Sequence, residues 1–156
     1  MKDIITIDII KTDKIGHKDL LFSIPDLIGK KEFDTYYFYL AIEPVKTIDD
    51  IKKAVSQLIN FWLIKVIECK NGETIFLPID FSDQYTGCLK VVNLNNLLVL
   101  TYGFSRREGY SVSPLNPENY YKEIYDFEAE FEKQVIVDKS ILISTLDRQI
   151  RKLNGV

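Results

Sequence analysis

Histidine, cysteine and clustered basic residues are what this chain has least of. It carries one His and two Cys in 156 residues. Metal sites draw on His, Cys and carboxylates gathered at set spacings. Cys69 and Cys88 match no zinc spacing, so the sequence predicts no metal and two buried thiols. Nucleophilic catalysis needs a Ser or Cys beside a base. The chain has no Gly-x-Ser-x-Gly elbow, and His17 stands between Gly16 and Lys18 with no motif around it. A lone loop histidine is ordinarily a surface residue. Seven dispersed glycines form no phosphate cradle ending in Lys. No basic run is present and the net charge is −3, which argues against nucleic acid as a direct ligand. No apolar run approaches a membrane span, and Met1 to Lys11 carries charge where a signal segment would be apolar. The expectation is a cytoplasmic protein with no cofactor and no catalytic residues. A glycosidase-type carboxylate pair stays open, since sequence does not give carboxylate separations.

What is present is apolar and aromatic. The hydrophobic share is 46%, with nine Tyr and nine Phe. The length suits one domain spanning 1–156, able to bury a core without staples. The stretch Cys88–Tyr121 organises the rest. Leu97–Tyr102 (LLVLTY) is the most apolar run and reads as a strand. Leu89–Asn93 pairs back to it across Leu94, Asn95 and Asn96, because Asn tolerates the left-handed turn of a tight hairpin. Tyr110 and Val112 suggest one more short strand. Asn116-Pro117-Glu118 reads as a helix start: a cap, a proline at the first helical position, and an acid at the positive end.

Elsewhere, Ile4–Ile10 is expected as the first strand and Lys11–Lys31 as a long connection. Glu32–Ile42 (EFDTYYFYLAI) reads as an interior strand ended by Glu43-Pro44. Thr47–Ile59 is a capped helix with an Ile48, Ile51, Val55, Leu58, Ile59 stripe. Asn60–Glu68 either continues that helix or opens a strand. The Asn71-Gly72 pair places strands at about Trp62–Cys69 and Glu73–Pro78. Tyr120–Val137 fits a helical face in part and a strand alternation in part. A short extended piece at Val135–Val137 precedes a helix capped by Asp138 over Lys139–Leu153. The predicted class is α+β: an antiparallel β-meander sheet of about five to six strands packed against two or three helices.

Two surface sets are candidate partner-binding sites. Asp126, Glu128, Glu130 and Glu132 concentrate negative charge. Such a run is ordinarily a solvated face, yet it would also steer a basic protein. Asp80, Asp83 and Tyr85 join carboxylates to an aromatic anchor of the kind interfaces favour. Gly109-Tyr110-Ser111-Val112-Ser113-Pro114, then Asn116, Tyr120 and Asp126-Phe127, resemble a pattern in small bacterial immunity proteins, which neutralise polymorphic or contact-dependent toxins. The layout of meander, capped helix after a Ser-Pro turn and C-terminal helix is similar too. The resemblance spans the last third of the chain. It implies cytoplasmic residence, no catalysis and a complex with one toxin domain, and it identifies no inhibitory residues. A small-ligand module, or an enzyme with its site between sheet and helices, is the alternative. A homo-oligomer using exposed aromatics is a third reading.

Overall fold

A computed structural model describes residues 3–14, 16–44, 47–118, 120–121 and 124–156. Two antiparallel sheets enclose a central helix. The first sheet takes β1 (Thr6–Ile9), β2 (Leu20–Ile24) and β3 (Gly29–Phe33), side by side in that order. The helices α1 (Tyr36–Ile42) and α2 (Ile48–Glu68) follow. The second sheet is a meander of β4 (Thr74–Phe81), β5 (Thr86–Leu94) and β6 (Leu97–Ser105). Both β7 (Glu128–Ala129) and β8 (Val135–Asp138) pair with β6, and α3 (Lys139–Leu153) closes the chain. The protein is α+β with antiparallel sheets against helices. Its strands are divided between sheets of three and five rather than gathered in one.

Local signals set several boundaries. Asn95 and Asn96 both adopt positive φ, at 57° and 68°, and Leu94 pairs with Leu97 across them. Thr47 and Asp50 form a reciprocal capping box at the start of α2. Asp138 accepts from the Ser140 amide at 2.9 Å and starts α3 where the sequence placed it.

Several expected elements differ. Trp62–Cys69 is not a strand, because α2 runs on to Glu68. Leu58, Ile59, Trp62 and Val66 continue the stripe begun at Ile51 and Val55, and all six are buried. Gly72, at φ 85°, turns the chain from that helix into β4 instead of joining two strands. Glu32–Ile42 is not one strand: β3 ends at Phe33 and Tyr36 opens α1. The break is made by Asp19, whose carboxylate accepts from the Thr35 amide at 3.1 Å and its hydroxyl at 2.7 Å. The connection over Lys11–Lys31 holds β2 and the start of β3, which turns at Gly29 with φ 61°.

No helix begins at Pro117. Residues 113–118 form turns, and the Tyr121 carbonyl accepts from the Phe76 amide at 2.7 Å, lying along the edge of β4. Part of the expected helix (Asn119, Lys122, Glu123) lies outside the described residues. Tyr110 belongs to a single 3-10 turn, Gly109–Ser111. The helix-or-strand question over 125–137 resolves as two short strands on β6.

The core lies around α2. Its Trp62 is fully buried, donates to the Pro78 carbonyl at 3.0 Å and meets the Phe22 ring edge-on at 6.1 Å. One side chain thus joins the helix to both sheets. The C-terminal carbonyls of α2 are satisfied from elsewhere in the chain. Lys139 donates to Ile67 at 3.1 Å and Cys69 at 2.8 Å, and Asn93 donates to Cys69 at 2.8 Å. Buried Gln149 on α3 accepts from the Ile7 amide at 3.0 Å, tying α3 to the first sheet. Lys65 pairs with Glu118 at 3.0 Å over the Tyr121 ring, which pins the 113–121 segment to α2. Burial alone would lower its pKa, but the Glu118 hydrogen bond and charge hold it above the usual lysine value. Cys69 and Cys88 are buried and unpaired with each other, and burial pushes the Cys88 thiol up to about 12. Among the described residues no helix is long and apolar enough to cross a membrane.

Trp62→Ala is expected to lower the unfolding free energy by about 3–5 kcal/mol in urea titrations. A loss below about 1 kcal/mol would show that the two sheets are not joined through this ring.

Candidate functional site

The meander ends in a braced turn. Between Pro78 and Asp80 the β4–β5 register shifts, which is the behaviour of a β-bulge and re-aims the side chains beyond it. The Ser82 amide then donates to the Tyr85 carbonyl at 3.0 Å, and the Gly109 amide donates to Ser82 at 2.6 Å. Gly109 has to be glycine, since a Cβ there would lie 2.5 Å from the Ser82 nitrogen. Two clefts open on either side of this turn, and Asp80 and Tyr85 line both.

The inner cleft, about 190 Å³, lies where β3 meets the second sheet. Asp80, Gly87 and Phe104 sit opposite one another across three strands, so they share a face. Gly87 is needed there for close approach, since a Cβ would come 2.7 Å from the Tyr102 hydroxyl and 2.8 Å from Asp80 Cβ. Lys31 reaches in from β3, pairs with Glu130 at 2.6 Å, and lies 5.1 Å from the Tyr102 ring centre and 5.5 Å from that of Phe131.

The outer cleft is wider, about 580 Å³. Tyr36, Tyr37 and Leu40 of α1 form one wall, and Ser82, Asp83 and Tyr85 of the turn form the other. His17 and Asp34 stand at its rim, 3.7 Å apart. The Asp34 carboxylate also accepts from the Lys18 amide at 2.7 Å. The Tyr37 hydroxyl donates to Asp83 and spans the two walls.

Electrostatics follow from these contacts. Burial, only partly offset by the Tyr85 hydrogen bond, pushes the Asp80 carboxyl from 3.8 up to about 6, and the charges of Asp34 and Glu130 add to the rise. The hydrogen bond to Asp83 raises the Tyr37 hydroxyl to about 12. Burial also raises Tyr85, with the Asp80 charge beside it.

The two residue sets proposed from sequence are thereby partly merged. Asp80 and Tyr85 line both clefts, Asp83 lines the outer one, and Glu130 comes to the inner one from the far end of the chain. Asp126 turns away and accepts from the Arg106 amide at 2.9 Å. Glu128 and Glu132 are exposed but line neither cleft. Lys31, Asp34, Tyr36, Tyr37 and Tyr102 were not singled out from the sequence. Reading 36–42 as a helix would have placed Tyr36, Tyr37 and Leu40 near one another, because residues three and four apart share a helix face. The approach of Lys31 to Asp80 carries no local signal at all.

No protein-family model matches the chain, and no curated protein matches it. One solved structure to which it is similar is a chain of a CdiA-CT/CdiI toxin and immunity complex from Enterobacter cloacae. The identity is 13%, the match covers 99% of this chain and 100% of that one, and the TM-score is 0.45. A likeness this distant carries no functional argument.

The raised pKa of Asp80 has a signed consequence for stability. The folded protein holds this proton more tightly than the unfolded chain. Ionisation therefore costs stability as pH rises through the window from about 4 to about 6. Asp80→Asn removes that cost. Its stability relative to the parent protein should rise across the window by about 1–3 kcal/mol and then level off. Urea titrations at a series of pH values read this out, and a pH-independent difference would refute the assignment.

Proposed function

We propose that this chain is a non-catalytic protein-binding inhibitor, an immunity protein that neutralises a cognate bacterial toxin by direct binding. The observation that carries this reading is the outer cleft. Tyr36 is 45% exposed, Leu40 48%, Tyr85 39% and, on the adjoining 3-10 turn, Tyr110 65%. Large aromatic and aliphatic side chains at the surface are the groups that anchor protein interfaces. These are held on braced backbone, by the Tyr37–Asp83 and Lys18–Asp34 hydrogen bonds and the Gly109–Ser82 contact. Bracing reduces the ordering cost of binding. Asp34 and Asp83 at the cleft, with Glu128 and Glu132 nearby in sequence to Glu130, present negative charge to an approaching surface. Such a field speeds association with a basic domain and disfavours acidic competitors.

The sequence resemblance of Gly109–Pro114 and the following residues to immunity proteins supports the same reading, although the helix that formed part of that resemblance is absent among the described residues. A toxin met inside the producing cell would also place the chain in the cytoplasm. The alternative, a small-ligand or catalytic site, has one observation in its favour: a half-buried carboxylate, Asp80, with a raised pKa in a cleft.

The test uses any toxin-like domain encoded beside this chain's gene, purified and titrated by calorimetry. Tyr36→Ala combined with Tyr85→Ala should weaken binding by about a hundredfold or more, the effect of losing two anchor residues. Asp83→Lys should slow association, and the slowing should shrink at high salt. Unchanged affinity and association rate in these variants, or no complex at all, would overturn the reading.

A further inference from the structure

We propose that the inner cleft is a receptor for a single arginine side chain, presented by the protein that docks against the outer cleft. The source of that arginine rests on the protein-binding reading above, whereas the affinity of the cleft for a guanidinium group stands on its own geometry.

Size comes first. About 190 Å³ is below the roughly 300–1,000 Å³ of small-molecule pockets. That suits the end of one side chain rather than a metabolite. Asp80, Gly87 and Phe104, opposite one another across three strands, line the wall of the cleft.

Charge selects the occupant. Three ionisable side chains line the cleft with formal charge: Asp80, Glu130 and Lys31. The Lys31 ammonium is committed to Glu130 at 2.6 Å. Among the described residues no cation forms a direct ion pair with Asp80; the Lys31 charge acts on it from beyond ion-pair distance, and its hydrogen bond comes from the Tyr85 hydroxyl. One negative charge is left over, and it is the more buried carboxylate that carries it. A buried carboxylate without a cation is the costly half of an ion pair. A monovalent cation entering the cleft would complete it.

Shape and hydration favour arginine over lysine. Tyr85 and Phe104, with ring centres 6.0 Å apart, line the cleft together with Tyr102. A guanidinium is planar, stacks on rings, sheds water more readily than an ammonium and forms two parallel bonds to a carboxylate. The compact ammonium position is already filled by Lys31 over Tyr102. The two clefts share Asp80 and Tyr85, so an arginine in the inner one is continuous with a surface resting on the outer one.

The probe is N-acetyl-arginine amide, followed through the backbone amide resonances of Gly87 and Gly103 in nitrogen-15 spectra of the full chain. Both glycines line the cleft. The expected result is saturable movement of these two signals with a dissociation constant on the order of 1–10 mM. The lysine analogue should bind at least about fivefold more weakly, and the citrulline analogue, similar in shape but uncharged, should give no saturable shift. Asp80→Asn, checked for an otherwise unchanged spectrum, should weaken the arginine probe by at least about fivefold. Equal shifts with arginine and citrulline, or none with either, would overturn the proposal. Shifts at these glycines with no toxin complex would uphold the guanidinium site and sink the inhibitor reading. A tight toxin complex that leaves Gly87 and Gly103 unmoved would do the reverse.

Discussion

The structure depends on one buried ring. Trp62 is in the middle of α2, with its edge toward the first sheet through Phe22 and its indole nitrogen bonded to the second through Pro78. Neither sheet is large. Each sheet would leave an apolar face to water; α2 covers part of both, and the sheets also meet directly where Tyr102 packs on Phe22 and Phe33. That is the usual solution for packing layers around one core. It also explains the length of α2, which has to reach α1, α3, β1 and β4. Burial of a large side chain contributes about 1.5–3 kcal/mol. The donor bond to Pro78 matters as well, because an indole N–H left unpaired in that setting would offset much of the gain.

The candidate site is a by-product of how the second sheet ends. A register shift in β4, a glycine in β5 that lets Tyr102 and Asp80 approach its backbone, and a turn held by Gly109 shape the end of the sheet where the clefts lie. Polar groups from distant parts of the chain then converge on it. Lys31 comes from the first sheet, Asp80 from β4, and Glu130 from the segment after β7. The neighbouring wall is α1, a helix with Phe38 as its buried anchor and tyrosines on its outer side. A rigid scaffold carrying exposed aromatics at loop and helix ends is the arrangement recognition surfaces use. The same half-burial that raises the pKa of Asp80 makes it a strong attractor for a cation, since Coulomb attraction grows as solvent is excluded.

Several local signals were readable. The Thr47 and Asp138 caps, the Asn95-Asn96 turn and the uninterrupted LLVLTY strand each depend on residues within a few positions of one another. Other segments carried two compatible patterns. Tyr36–Ile42 alternates acceptably for a strand and is also apolar enough for a helix, and Asp19 decided between them from outside the segment. At Asn116–Glu118 the local cap signals pointed to a helix, but the chain forms turns there and runs on to the edge of β4. Lys65 pins this segment to α2 through Glu118.

The sequence by itself determined the class of the protein: α+β, an apolar core and two buried thiols. These follow from composition, period and caps, which act over a few residues. Only the tertiary structure decided that the strands divide into two sheets around α2. It alone brought Glu130 and Lys31 to Asp80, and it alone opened a cleft beside Gly87. The physical reason is range. Pairing across a sheet junction, the burial of one carboxylate and the close approach allowed by one glycine are set by residues far apart in the chain, and no local pattern records them.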